Sequence, residues 1–289
     1  MIGRKRKRID ARPEAADALR RMLLDMKYEL IPMKRVLGEA VFLPEAARVS
    51  VTASPSKGMA ATIDLALELQ QRGFRVTPHL SARATKDHAE LERYLVRLDA
   101  AGITSAFVVG GDSDEPGDFF DALALLVAME EIGHGLTDIG IGAHPEGHPF
   151  VSDSALRQAL HDKQRYAASM TTQMCFTPDT IADWLRTQRE DGIHLPVVFG
   201  IPGVAELRRL LSLSARIGVG DSMRFLASNT GLVGKLVRPG GYSPDALIVG
   251  LDETLCDERA GVEGFHVYTF NEVESTERWR QEFLEWLAG

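Results

Sequence analysis

Met26–Lys34, MKYELIPMK, carries a single acid among apolar neighbours. The run predicts a short strand in which Tyr28, Leu30 and Ile31 pack and Pro32 closes the element. Alternation along a strand sets Glu29 on the face opposite Tyr28 and Leu30. In a sheet closed into a barrel, that acid points into the barrel or at its mouth. A carboxyl group stripped of water favours its neutral, proton-carrying form, which general acid catalysis near pH 7 requires. The plainer alternative is a partly exposed strand-end Glu, or one paired with Arg35.

Working outward, Pro13–Asp25 (PEAADALRRMLLD) has helical patterning. Downstream, β-rich runs fall at 49–53 (VSVTA), 75–80 (RVTPHL), 106–110 (AFVVG), 138–143 (DIGIGA), 169–173 (SMTTQ), 196–200 (PVVFG) and 264–270 (GFHVYTF). Helical stretches at 59–71, 87–98, 119–131, 154–167, 180–190 and 274–287 alternate with them. Strands and helices in this alternation require parallel pairing and right-handed crossovers, and eight such units predict a (β/α)8 TIM barrel. An open doubly wound sheet is the competitor, but no GxGxxG follows the first strand. The long connection 200–263 is expected to carry extra helices at 206–217, 222–236 and 244–257. Residues 13–289 read as one barrel domain with an N-terminal helix, and residues 1–12 as a disordered tail. The tail's basic run, Arg4–Arg8 (RKRKR), is read as solvated, with a signal or an anionic-surface tether as alternatives.

The chain has 289 residues, 45% hydrophobic and 26% charged, an ordinary globular balance with ample core. A net charge of −8 argues against a nucleic-acid partner. No apolar run approaches the roughly 20 residues of a membrane span, and no signal-peptide pattern is present. Cys175 and Cys256 form no zinc-type cluster, so a reducing, cytoplasmic setting is expected. Oligomeric state is left open.

Barrel enzymes keep their chemistry at the C-terminal ends of the strands. The polar residues interrupting those ends are Glu29, Thr52, His79, Asp112, the segment His144–Pro149 (HPEGHP) and Gln173. Gly110–Gly111–Asp112 offers close backbone approach and a carboxylate for a ring N–H; a capped turn is the alternative. His144, Glu146 and His148 invite a metal reading, but stiffening prolines favour a ligand-shaping loop, and no metal centre is expected. His79 reads either as a group at the mouth or as a structural imidazole. Gln173 can donate and accept at once, which suits a heterocycle with adjacent N–H and C=O; the alternative is an amide tied to neighbouring backbone. No G-x-S-x-G, P-loop or HExxH is present.

Taken in order, YELIP, VSVTA, PHL, GGD, DIGIGAHPEGHP, TTQ, PVVFGI and FHVYTFN resemble the methylenetetrahydrofolate reductase family, over about Lys27–Glu274. The resemblance implies a (β/α)8 barrel that reduces the methylene bridge of methylenetetrahydrofolate to a methyl group. It implies that Glu29 is the catalytic acid, that Asp112 and Gln173 recognise the pterin, and that Thr52 and His79 lie along a flavin. Gly111, His144, Glu146, His148 and Lys163 fall in the motifs on that cofactor side. The departures cluster there as well. Gly110 replaces an Arg, and His144 replaces a Tyr before the PE-x-HP element. Lys163–Ser169 (KQRYAAS) replaces the phosphate-cradling Lys and its Ala-Gly-Ala turn, and Leu207 stands where the family places an aromatic. The sequence resembles divergent members that pass hydride directly from NADH or NADPH to the folate without FAD. The alternatives are a standard FAD-containing ping-pong reductase and a non-catalytic folate-binding protein.

Overall fold

The computed structural model describes residues 13–54, 57–113, 115–148, 150–204 and 242–288. Eight parallel strands close into a barrel in chain order. They are β1 (Lys27–Leu30), β2 (Arg48–Val51), β3 (Arg75–Ser81), β4 (Ser105–Val109), β5 (Asp138–Ala143), β6 (Ser169–Thr172), β7 (Val197–Pro202) and β8 (Val262–Tyr268). The described helices are α1 (Pro13–Leu24), α2 (Val36–Glu39), α3 (Gly58–Gln71), α4 (His88–Ala100), α5 (Ala122–Ile132), α6 (Asp153–Lys163), α7 (Pro178–Glu190), α8 (Asp245–Gly250), α9 (Asp252–Cys256) and α10 (Val273–Leu287). The basic tail, Leu207 and the expected helices at 206–217 and 222–236 lie outside the described residues. Among those residues no helix is long and apolar enough to cross a membrane.

Side-chain caps set several helix starts. Asp87 accepts from the Glu90 N–H at 2.8 Å and opens α4, and Ser152 accepts from Ala155 to open α6. Asp121 accepts from the Ala124 N–H at 2.9 Å, so α5 begins at Ala122 and not at Phe119. The stretch expected as one helix over 244–257 is two short ones, α8 and α9, meeting at Leu251. The first strand stops at Leu30, short of Pro32. The reason is competition: both polar groups of the Ile31 backbone are bonded by the side chain of Asn271.

Alternation along β1 divides its neighbours as expected. Tyr28 and Leu30 are buried in the outer core, and the Tyr28 hydroxyl donates to Glu277 of α10. Arg280 holds that same carboxylate with two bonds, at 2.6 and 2.7 Å. The barrel interior is more polar than the branched aliphatic layers usual in this fold. At its floor, Arg48 reaches Asp25 at 3.2 Å and Asp138 at 4.0 Å. Burial, with help from Arg48, lowers the pKa of Lys27 there to about 8. Two glycines make room for rings above this floor. A Cβ on Gly140 would lie 2.9 Å from Phe107, and one on Gly200 would lie 2.1 Å from the Thr172 carbonyl oxygen and 2.8 Å from Tyr268.

Candidate active site

Glu29 sits in register with Ser50 on β2 and Tyr268 on β8. It is 6% exposed, so the partly exposed alternative is excluded. Its neighbours are imidazoles and not Arg35: Oε2 lies 3.0 Å from His266 Nε2 and 4.0 Å from His79 Nε2. Ser50 Oγ lies 2.7 Å from His79 Nε2. Phe107 packs on His79 with ring centroids 4.8 Å apart, and Tyr268 packs on His266 at 4.9 Å.

The segment after β8 fixes the backbone that carries the acid. The Thr269 hydroxyl donates to the Glu29 carbonyl. Asn271 accepts from the Ile31 N–H and donates to the Ile31 carbonyl, both at 2.9 Å. Phe270 and Asn271 have φ of 53° and 59°, a left-handed turn that brings the amide back toward β1. Asn is among the non-glycine residues that tolerate this region best.

Burial raises the pKa of Glu29 to about 7, a shift that His79 partly offsets. Burial lowers His79 to about 4, with Glu29 opposing and His266 and Lys27 reinforcing the effect. Burial lowers His266 to about 3, aided by Lys27 and Arg48 on the floor. A carboxylic acid beside an imidazole ordinarily yields its proton and forms an ion pair. Here both imidazoles are weaker bases than the carboxylate, so the proton stays on Glu29. The 3.0 Å contact between Glu29 Oε2 and His266 Nε2 is a hydrogen bond whose donor is set by the imidazole tautomer.

Of the remaining strand-tip groups, Asp112, the His144–His148 segment and Gln173 follow β4, β5 and β6, and Thr52 follows β2. Asp112 is exposed in the loop after β4. Gly111 has φ 84°, and a Cβ there would lie 2.0 Å from Ser81 Oγ. Its missing side chain is therefore explained by packing against the tip of β3. Gln173 is half-buried, and its amide oxygen accepts from the Met174 N–H at 2.9 Å, the local alternative weighed from sequence. Thr52 is half-buried past β2, and its carbonyl accepts from Thr62 of α3 at 2.9 Å. His144 and His148 meet edge to face at 5.3 Å, and His148 Nδ1 accepts from Phe150. Burial, then His148 and Lys163, lower His144 to about 4, while burial lowers Lys163 against the pull of Asp121. Glu146 is half-buried in the same loop and raises the pKa of the buried Cys175 thiol, after burial itself.

Sequence reasoning assigned no role to His266, Thr269 or Asn271. All three stand in FHVYTFN, noticed as a pattern, yet their partners lie at the far end of the chain. Among the described residues, Glu29, His79 and His266 alone form a group with three metal-type donor atoms, all within 4.8 Å. The His144–His148 segment forms no such group.

A family model described as methylenetetrahydrofolate reductase matches residues 32–281. A solved crystal structure from Burkholderia cenocepacia J2315, named for a lyase/mutase, is similar at 14% identity with a TM-score of 0.47. The alignment covers 94% of this chain and 85% of that one. Similarity at this level bears on no chemistry.

Proposed function

The chain belongs to the methylenetetrahydrofolate reductase family, and on that premise we propose that it reduces 5,10-methylenetetrahydrofolate to 5-methyltetrahydrofolate with hydride taken directly from NADH or NADPH. One observation carries the reading. A carboxyl group closed inside the barrel, with no Lys or Arg ion pair among the described residues, stands between two buried imidazoles at the end of the barrel where such enzymes work.

The chemistry needs one proton and one hydride. Glu29 gives its proton to the leaving nitrogen as the five-membered ring opens. The C–N bond electrons go to that nitrogen, and the bridge carbon becomes an iminium. Hydride from the nicotinamide adds to that carbon and gives the methyl group and NAD(P)+. Solvent returns a proton to Glu29. Asp112 and Gln173 hold the pterin edge so that the acceptor carbon faces the donor. The Gln173 amide leaves Met174 to do so.

Among the described residues, three positions matched to the family's flavin side are engaged within the protein. His79 lies inside the barrel against Ser50, the open side of Gly111 is filled by Ser81, and the Thr52 carbonyl is taken by α3. Lys163, with the His144 and His148 rings near it, offers an ammonium and ring N–H groups to phosphates, which a nicotinamide dinucleotide also carries. This supports transfer without flavin. The test is anaerobic turnover with NADH and methylenetetrahydrofolate after flavin is stripped, with and without added FAD. Equal rates are expected in both arms. Turnover that appears only with FAD would establish the ping-pong alternative.

A further inference from the structure

We propose that Glu29, His79 and His266 also form a binding site for a divalent transition ion of the zinc type, and that such an ion excludes the folate reaction. The second half of this statement rests on the reading of Glu29 as the acid; the first half does not.

The three donors come from β1, β3 and β8, whose inward positions meet inside the barrel. All three donor atoms lie within 4.8 Å of one another, with pairs at 3.0 and 4.0 Å. A four-coordinate zinc with bonds of about 2.0–2.2 Å separates its ligand atoms by roughly 3.3–3.5 Å. Two pairs bracket that spacing and the third lies within 4.8 Å, so an inward movement of His79 completes three sides of a tetrahedron. The hydrogen bond between Ser50 Oγ and His79 Nε2, 2.7 Å long, is one that His79 exchanges for the metal, and water takes the fourth position.

Donor chemistry selects the ion. Two imidazole nitrogens and one carboxylate suit zinc or cobalt, whereas magnesium and calcium demand six or more oxygens. Phe107 and Tyr268 wall the group, and the three side chains are 8% (Glu29), 10% (His79) and 3% (His266) exposed. A carboxylate buried there without a cation is unfavourable, and a dication removes that penalty. Binding exchanges the carboxyl proton for the metal and releases the proton to solvent. The liganded Glu29 then has nothing to give to a folate nitrogen.

The whole protein, freed of metal with a chelator and kept without folate, is titrated with Co2+ and then Zn2+. A visible d–d absorption saturating at one Co2+ per chain, bleached by Zn2+ and untouched by Mg2+, is expected. His79→Asn and His266→Gln should each weaken Co2+ binding ~10-fold or more, and Glu29→Gln, nearly isosteric, guards against loss of fold as the cause. No absorption, or absorption equally strong in both histidine variants, overturns the site. Zinc should then stop folate reduction over the same concentration range in which it bleaches cobalt; full turnover with zinc bound overturns the exclusion. Cobalt binding in a metal-free protein that reduces no folate contradicts the functional reading and leaves the metal site standing.

Discussion

Across the mouth of the barrel, Glu29 and Asp112 meet opposite surroundings. Glu29 is 6% exposed, bonded to His266, and carried on backbone that Thr269 and Asn271 hold. Asp112 stands exposed in a loop, and Gln173 beyond it spends its amide oxygen on the adjacent backbone. The β1–β3–β8 side is organised before any ligand arrives, so its electrostatics cost no reorganisation during reaction. The β4–β6 side has groups whose best partners come with the ligand. Under the proposed function, chemistry belongs to the first side and recognition to the second.

The strongest way to break this comparison is Glu29→Gln. With chelator present, kcat should fall about 10²–10⁴-fold while the folate Kd, read by fluorescence or calorimetry, stays within a few-fold. An equal loss in Kd would place Glu29 among the recognition groups.

The same substitution has a stability effect of predictable sign. The folded-state pKa of Glu29 is raised from 4.5 to about 7. The folded protein thus holds a proton that the unfolded chain has released, and its stability declines as pH rises across that window. His79 and His266 act oppositely, because their folded values are lowered to about 4 and about 3. Stability from them is gained as pH rises toward the ordinary imidazole value. Glu29→Gln removes the first contribution and, with it, the part of the His79 shift in which Glu29 opposes burial. The variant should gain on wild type from about pH 4.5 to about pH 7, by up to about 3 kcal/mol, and level off above. A difference in Tm that is flat across this range would contradict the burial argument.

Much of this architecture was legible in the chain, and the limits have physical causes. The strand alternation and the period-two placement of Glu29 are local patterns, and both hold. The partners of Glu29 are not local: His266 lies 237 residues away, and only barrel closure between β1 and β8 brings them together. Closure also explains why β1 stops before Pro32, since the Asn271 amide intercepts the backbone there. Gly111 was read either as an opening for a ligand or as part of a capped turn, because sequence shows the missing side chain but not Ser81 filling its place. Gln173 carries an amide able to bond a ligand or its own neighbour, and composition alone could not choose between them.

On the recognition side the expected effects are smaller. Asp112→Ala should raise KM and lower kcat/KM about 10–100-fold, the worth of a hydrogen bond to a charged group, with kcat changing less. Gln173→Ala should cost only a few-fold in kcat/KM, because its amide gives up a local bond to engage the ligand. A loss in kcat alone at either position would move that residue to the chemical side of the mouth.

The central claim is that Glu29 keeps its proton near neutrality. Infrared difference spectroscopy of the metal-free protein, with Glu29→Gln as the reference, reads it through the carbonyl stretch of a protonated carboxylic acid. The account predicts a Glu29 band that is present in mildly acidic solution and bleaches with a midpoint of about 7. A band already gone by about pH 5, the range of an ordinary solvated glutamate, would contradict it.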